Sequence, residues 1–219
     1  MGASAPNAVD ERGNSIRCDV AVIGSGAAAL TVALRAAAGG RSVVILEKAA
    51  SIGGTSAMSG GMTWVPANHL AAAAGHRDSV EEAIRYVEAA APAGWLETEG
   101  ELLRAQVANG PDMLRFVEAH SPLRFTNADV PDPRMELPGA KRRGRLLSPV
   151  PVSRKLIGRY GDLVRSSTLP LNMTYAEAQR ANILRKPVTC AIRYGATMLR
   201  RYFSGGVLRM KLNSFTVRP

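Results

Sequence analysis

The fold is decided by residues 18–30, which read Cys-Asp-Val-Ala-Val-Ile-Gly-Ser-Gly-Ala-Ala-Ala-Leu. Residues 18–23 are a short apolar run with β-branched members, which predicts a strand buried on both faces. Gly24 permits a tight turn, and Gly26 lets a pyrophosphate approach the backbone. Ala29 stands where a small residue packs the following helix against the strand. This stretch therefore predicts the first strand, turn and helix of a dinucleotide-binding unit.

A helix and a second strand follow in register with the turn. The segment from Ala27 to Ala38 has apolar residues at helical spacing and stops at glycines, and residues 42–46 predict the second strand. Glu47 ends this strand 23 residues after Gly24, where a carboxylate accepts from both ribose hydroxyls and repels a 2′-phosphate. The helix would present its N–H groups and positive end to the pyrophosphate. The alternative is a glycine turn in an ordinary βαβ unit.

A second glycine-rich segment indicates which dinucleotide is bound. Residues 51–61 read Ser-Ile-Gly-Gly-Thr-Ser-Ala-Met-Ser-Gly-Gly, so two Gly-Gly pairs bracket the hydroxyl side chains. Glycines allow a ligand close to the backbone, and hydroxyl groups can hydrogen-bond phosphate or ribityl oxygens. A nicotinamide-dependent dehydrogenase has no need of such a loop directly after its ribose-binding acid, whereas FAD lies extended along its domain. The sequence therefore favours FAD over NAD.

These motifs resemble those of a known family. They are Asp19-Val-Ala-Val-Ile-Gly-Ser-Gly, Glu47-Lys48, Gly53-Gly54-Thr55-(x)3-Ser59-Gly60-Gly61 and Trp64-x-Pro66-x-Asn68. In them the chain resembles the fumarate reductase and succinate dehydrogenase flavoprotein superfamily, and within it the 3-ketosteroid dehydrogenase branch, which transfers hydrogens from the steroid A-ring to FAD. The resemblance is dense over residues 17–68, looser over 111–149, and not evident after about residue 150.

The resemblance implies an α/β fold, a Rossmann-like FAD-binding domain of the glutathione-reductase type with additional helices. We interpret residues 1–15 as a flexible leader and residues 16–219 as the N-terminal portion of this domain. Succinate dehydrogenases attach flavin to a histidine at the position of Gly54, so non-covalent FAD is expected. The residues implied to line FAD are Gly24, Ser25, Gly26, Ala28, Glu47, Lys48, Gly54, Thr55, Ser56, Ser59, Gly60 and Gly61.

Two departures from the family limit the prediction of catalysis. Relatives often carry a tyrosine on the substrate side where this chain has Pro133, which has no hydroxyl to exchange a proton; alternatively, Asp132-Pro133 is simply a turn. Family members are also considerably longer, so the substrate-capping domain and the last FAD-binding segment are expected to be missing. A truncated or frameshifted reading frame would explain this. We therefore predict no catalytic residue within the chain.

Charge is distributed unevenly along the sequence. The net charge is +10, yet residues 1–140 hold 11 basic and 16 acidic side chains, whereas residues 141–219 hold 17 basic and two acidic ones. Two interpretations of this basic region are favoured: a face that packs against further segments of a longer domain, or a solvated surface. Nucleic-acid binding is disfavoured because no nucleic-acid-binding motif accompanies the basic residues. A peripheral membrane contact is an alternative, since steroid-like substrates partition into lipid.

Cysteine and apolar patterning indicate the compartment. Cys18 and Cys190 form neither a metal spacing nor a disulfide framework, which favours a reducing, cytoplasmic setting. No run of about 18 apolar residues predicts a spanning helix. His69 and His76 lack metal-binding spacing. Cys18 is expected as a buried thiol within the first strand, and Trp64 either beside the flavin or in the core.

The remaining elements are predicted from caps and breakers. A capping box at residues 79–82 begins a helix that Pro92 closes. The sequence further predicts a helix over 101–108 ended by Asn109-Gly110, a third helix opened by Pro111 and running to about His120, a strand over 123–126, and helices over 175–183 and 189–202.

Three functions are consistent with these observations. The first is an FAD-dependent oxidoreductase acting on a CH–CH bond, with a 3-ketosteroid or another small apolar molecule as substrate. The second is a non-catalytic remnant that binds FAD, and the third is a basic binding module with a vestigial nucleotide fold.

Overall fold

The computed structural model describes residues 15–167 together with positions 8–9, 188, 192, 194–196, 199 and 217–218. The strands of this part are β1 (Ala8–Val9), β2 (Ile16–Arg17), β3 (Val20–Ile23), β4 (Val43–Leu46), β5 (Thr63–Trp64), β6 (Phe125–Asn127), β7 (Leu146–Pro149), β8 (Val152–Ser153) and β9 (Val217–Arg218). The α-helices with defined bounds are α1 (Ala27–Ala38), α2 (His69–Ala73), α3 (Val80–Ala90) and α4 (Trp95–His120). The predicted helices over 175–183 and 189–202 fall largely outside the described residues.

The predicted βαβ unit is present. β3 pairs in parallel with β4, with Val22 opposite Ile45, and α1 connects the two strands over the predicted range. At the open end of the pair, the Asp19 carboxylate accepts from the backbone N–H of Ser42 at 2.8 Å. The predicted α/β arrangement of strand, helix and parallel strand is thereby confirmed.

Burial within this unit differs from the sequence-based expectation. Val22 is buried against α1, but Ala21 is exposed and Ile23 is 86% exposed. The prediction that residues 18–23 are buried on both faces is wrong, because within the described chain α1 covers only one face of the strand pair. Cys18 precedes β3 and is half-buried, so its predicted place as a buried thiol inside the strand is also wrong.

A second layer is a small antiparallel sheet in the order β5-β7-β6. Leu147 of β7 lies opposite Thr63 on one side and Asn127 on the other. Its side chain joins Val65 and Leu114 in the main apolar cluster. The predicted strand over 123–126 is present as β6, displaced by one or two residues towards the C-terminus.

The helices that pack on this sheet depart from prediction at one point. α3 begins after Ser79 and ends before Pro92, as predicted. The break predicted at residues 109–111 is wrong, because α4 is a single helix of 26 residues with Pro111 inside it. Pro111 is buried, and a Cβ on Gly110 would lie 3.5 Å from Val65 Cγ1. Packing of this segment against the sheet outweighs the hydrogen bond that proline cannot donate.

Among the described residues, none of the helices combines the length and the apolar character that a membrane crossing demands.

Candidate functional site

The turn between β3 and α1 leaves its backbone open to a ligand. Gly24 has a φ of 92°, which a residue with a side chain rarely adopts, and its N–H donates to Leu46 O at 2.7 Å. A Cβ built on Gly24 would meet nothing within 4 Å. Gly26 is the N-cap of α1 and provides no side-chain cap. An uncovered glycine turn at a helix N-terminus is an arrangement that accommodates a pyrophosphate, so these residues fit the predicted cofactor.

Glu47 lies beside this turn, at the end of β4. Its carboxylate accepts hydrogen bonds from the Ser25 hydroxyl on one oxygen and from the Ala49 N–H, at 2.9 Å, on the other. The backbone bond from Ala49 is the larger cause, and the bond from Ser25 the next, of a pKa for Glu47 below its ordinary value. The carboxylate is therefore held ionised and oriented at the strand tip, where it can accept from a ribose.

The second glycine-rich segment contacts the first. Gly53 donates its N–H to Ser25 Oγ at 2.8 Å, and Ser56 Oγ accepts from the Ala27 N–H at 3.1 Å. A Cβ on Gly54 would lie 3.7 Å from Gly26 Cα. The loop after β4 thus crosses directly over the start of α1. One N–H of the first helical turn, that of Ala27, is already hydrogen-bonded within the protein.

The remaining predicted residues follow along this loop. Ser59 Oγ donates to Ser56 O at 2.9 Å and accepts from the Gly61 N–H at 3.1 Å. Thr55 and Ser59 are exposed, Gly60 and Gly61 are half-buried, and Lys48 is exposed next to Glu47. The structure brings together, at one end of the βαβ unit, Gly24, Ser25, Gly26, Ala28, Glu47, Gly54 and Ser56.

A later segment, which sequence reasoning missed, supports the same loop. Ile52 donates its N–H to Leu163 O and accepts from the Arg165 N–H, both at 2.8 Å. Ser167 Oγ donates to Met58 O at 3.1 Å. Residues 163–167 therefore lie alongside the second glycine-rich segment. Backbone pairing of this kind leaves no sequence motif, which explains why the region after residue 150 gave no signal.

A buried charged cluster lies between the sheet and α3. Arg145 is 1% exposed and donates to both oxygens of Asp78, at 2.7 and 2.9 Å, and to Asp132 at 3.0 Å. Burial alone would raise the pKa of Asp78, but hydrogen bonds from Arg145 and from the Ala67 N–H lower it below the ordinary value. The two carboxylates and the guanidinium thus compensate one another in a dry environment.

Aromatic rings line the same cluster. Trp64 donates its indole N–H to Asp132 at 2.8 Å and stacks on Tyr86 with ring centroids 6.0 Å apart. The guanidinium of Arg145 lies 5.5 Å from the Trp64 ring centroid. Trp64 is half-buried and joins this cluster through its indole N–H and its ring, and its predicted place beside the flavin stays a prediction. The interpretation of Asp132-Pro133 as a plain turn is wrong for Asp132, whose buried carboxylate accepts from Trp64, from the Lys141 N–H and from Arg145.

The loop after Asp132 is clamped against α3. Asp132 accepts from the Lys141 N–H at 2.8 Å, and the Lys141 side chain pairs with Glu82 at 2.8 Å. A Cβ on Gly139 would come within 2.2 Å of Glu82 O, so only glycine fits there. Pro133 itself is exposed. Sequence reasoning did not connect these residues, because Asp78 and Arg145 are 67 residues apart and no local pattern pairs them.

The histidines do not form a metal centre. His69 pairs with Glu118 at 3.0 Å, and throughout the described residues no group of three or more metal-ligating side chains is present.

Comparisons with known proteins agree with this geometry. A family model described as an FAD binding domain matches residues 19–187. The chain is similar to 4-oxocyclohexanecarboxylate 2-dehydrogenase of Sinomonas cyclohexanicum, with 48% identity over 150 residues that make up 68% of this chain and 26% of that protein. It is also similar to 3-oxosteroid 1-dehydrogenase of Mycolicibacterium smegmatis, with 40% identity over 147 residues, or 64% of this chain and 24% of that protein.

A solved structure extends the similarity to the fold. The crystal structure of 3-ketosteroid delta1-dehydrogenase from Sterolibacterium denitrificans, in complex with 1,4-androstadiene-3,17-dione, is 31% identical and superimposes with a TM-score of 0.74. The match covers 90% of this chain and 36% of that chain. This chain spans about a quarter of the length of the curated relatives cited above.

Proposed function

The chain belongs to the FAD binding domain family, and from this premise we propose that it is the FAD-binding portion of a dehydrogenase that oxidises a CH–CH bond beside a ring ketone. FAD is the cofactor of this domain. When bound, FAD supplies the acceptor for the hydride that leaves the substrate. The chain's own residues bind and orient the dinucleotide.

One observation carries the proposal: the open glycine turn, the Glu47 carboxylate and the 53–61 loop meet at a single helix N-terminus. Gly24 and Gly26 admit the pyrophosphate to the backbone, and the helix end favours its negative charge. Glu47 accepts from the ribose of the adenosine half. The exposed Thr55 hydroxyl is available to the rest of the dinucleotide, and the exposed Ser59 hydroxyl, whose proton is donated to Ser56 O, can only accept from it.

The substrate class rests on what the relatives have in common. One is named for 4-oxocyclohexanecarboxylate and another for 3-oxosteroids, and both compounds carry a ketone on a six-membered ring. We assign a small apolar ring ketone of this kind to the present chain. FAD is bound non-covalently, since a glycine, Gly54, occupies the position of the flavin-linked histidine. No proton-abstracting residue is assigned, because Pro133 has no hydroxyl.

Loading with FAD tests the cofactor half of the proposal. The purified chain is incubated with FAD and desalted, and its visible absorbance spectrum is recorded. We expect flavin bands to stay with the wild-type protein and to be lost in Glu47→Arg, because a guanidinium cannot accept from ribose. Glu99→Arg is the matched control, since it makes the same charge change at an exposed position of α4. A colourless wild-type protein would refute the site.

An activity assay tests the reaction. The FAD-loaded chain is supplied with an artificial electron acceptor and with either 4-oxocyclohexanecarboxylate or a 3-ketosteroid, and formation of the conjugated enone is followed by absorbance. Enone formation with either compound supports the dehydrogenase. Tight FAD binding without any enone would limit the role of this chain by itself to binding FAD, as in the second function, a non-catalytic FAD-binding protein, for which Pro133 at the usual tyrosine position is the specific indication.

A further inference from the structure

The Ser25 side chain is directed at the protein rather than at the surface where FAD would lie. Ser25 is 4% exposed, and its hydroxyl lies between the tip of β4 and the second glycine-rich segment. We propose that Ser25 is a positioning residue, which fixes the Glu47 carboxylate and the Gly53 backbone in the arrangement that the adenosine half of FAD requires. This inference rests on the proposed function and adds a residue that acts on the cofactor through another residue.

The direction of each hydrogen bond supports this role. A serine hydroxyl has one donor and can accept two bonds. The single donor of Ser25 is given to Glu47, and the oxygen accepts from the Gly53 N–H at 2.8 Å. With its proton committed to a carboxylate, the hydroxyl has no donor left for a phosphate. Its contribution to FAD binding is therefore indirect.

The same hydroxyl joins three segments that sequence places apart. Ser25 belongs to the turn after β3, Glu47 lies 22 residues later at the end of β4, and Gly53 lies 28 residues later in the second glycine-rich segment. Gly53 has a φ of 101°, and an added Cβ there would lie 2.6 Å from that of Ala57, so only glycine fits at the position that donates to Ser25. Removing the hydroxyl would take away one of the two hydrogen bonds that hold the Glu47 carboxylate and would leave the Gly53 N–H without its acceptor.

A titration of the chain without FAD tests the contact itself. The pKa of Glu47 is measured by carboxyl-carbon NMR in the wild type, Ser25→Ala and Ser25→Thr. Because a hydrogen bond donated to a carboxylate favours its ionised form, Ser25→Ala is expected to raise the pKa of Glu47, and Ser25→Thr to restore it. An identical Glu47 pKa in the wild type and Ser25→Ala overturns the inference, whatever the affinity for FAD.

A double-mutant cycle tests the consequence for the cofactor. FAD dissociation constants are measured for the wild type, Ser25→Ala, Glu47→Gln and the double variant, with circular dichroism melts as the check on folding. Ser25→Ala is expected to weaken FAD binding about tenfold in the wild type and less than about threefold in Glu47→Gln, because coupled residues are not additive. Equal losses in both backgrounds would overturn the positioning role.

The pH profile separates positioning from simple stabilisation. Glu47 binds ribose as a carboxylate, so FAD affinity falls as the pH drops through its pKa. A raised pKa in Ser25→Ala shifts this loss to higher pH, whereas a variant that is merely less stable keeps the wild-type midpoint, which would count against the inference. Failure of the wild-type chain to bind FAD would refute the proposed function and the role towards FAD together, and the titration without FAD distinguishes that case.

Discussion

Two regions of the molecule are held together by different means. The nucleotide unit (residues 18–61) has few buried side chains, exposes Ile23 almost fully, and is joined by hydroxyl and backbone hydrogen bonds. The helix–sheet body (residues 62–149) encloses the apolar cluster around Leu147 and the Arg145 ion pairs. The first region leaves backbone uncovered where a ligand approaches, whereas the second satisfies its charges internally.

The comparison shows that a binding region and a supporting region need glycine for opposite reasons. A dinucleotide site needs glycines without neighbours, as at Gly24, where an added Cβ would meet nothing within 4 Å. A supporting body needs glycines where elements touch, as at Gly139, where the added Cβ would overlap Glu82 O. Substitutions should therefore separate the two regions: changes in the unit alter FAD binding, and changes in the body alter stability.

The largest effect is expected from breaking the charged cluster. Arg145→Leu leaves the Asp78 and Asp132 carboxylates buried without their partner, and loss of one member of such a group destabilises by about 3–5 kcal/mol. The free energy of unfolding is measured by urea titration. Arg143→Leu is the control, since its pair with Asp129 is largely exposed and contributes less than about 1 kcal/mol. Equal losses in the two variants would contradict a supporting role for the cluster.

A pair of glycines tests the close packing of the body. Gly139 and Gly94 have nearly the same φ, 79° and 80°, but an added Cβ would clash with backbone only at Gly139. Gly139→Ala should lower the unfolding free energy by about 2–4 kcal/mol, the sum of backbone strain and overpacking. Gly94→Ala should lower it by only about 1–2 kcal/mol, from the backbone alone. If both changes had the same effect, the loop would not be clamped against α3 as the structure has it.

Much of the nucleotide unit could be predicted from the sequence because its signals are local. The bounds of α1 follow from helical spacing between Gly26 and Gly39, and Glu47 follows from its distance to the glycine turn. What the local pattern could not give was burial: β-branched composition indicates a strand, but whether both faces are covered depends on other elements. Ile23 is exposed for that reason.

The body was harder to predict because its contacts are distant in sequence. The Asn109-Gly110-Pro111 sequence is a strong local breaker, yet packing of Gly110 against Val65 and burial of Pro111 keep α4 continuous. Likewise, nothing local to Asp132 indicates that its partners are Trp64 and Arg145. Tertiary contacts decide both cases, and a single sequence does not contain them as a pattern.

A smaller effect, confined to binding, is expected in the nucleotide unit. Gly26 has a φ of −72°, which alanine tolerates, and an added Cβ would lie 3.7 Å from Ser56 Oγ, an ordinary contact. Gly26→Ala should therefore change the unfolding free energy by less than about 1 kcal/mol, because the poorer N-cap offsets the stiffer unfolded chain. The methyl group would nevertheless stand where the pyrophosphate approaches, so FAD should bind about a hundredfold more weakly, about 2.8 kcal/mol. Fluorescence titration with FAD measures this, and unaltered affinity would place the pyrophosphate elsewhere.

The smallest expected change in unfolding free energy comes from the serine hydroxyls at the starts of α3 and α1. Ser79 is the N-cap of α3, and its hydroxyl accepts from the Glu82 N–H at 3.2 Å. The N-cap of α1 is Gly26, which has no side chain, and the Ala27 N–H donates instead to Ser56 of the next loop. Ser79→Ala should lower the unfolding free energy by about 1 kcal/mol. Ser56→Ala should lower it by about half as much, because water replaces an exposed acceptor.

The same two variants should rank in the opposite order for FAD. Ser56 contacts the first residue of α1, where the pyrophosphate would lie. Ser56→Ala should therefore weaken FAD binding several-fold, whereas Ser79→Ala should leave FAD binding unchanged. Thermal melts and FAD titrations on the two proteins give both rankings. If Ser79→Ala weakened FAD binding as much as Ser56→Ala, the helix–sheet body would take part in FAD binding. The assignment of binding to the nucleotide unit and of stability to the body would then be wrong.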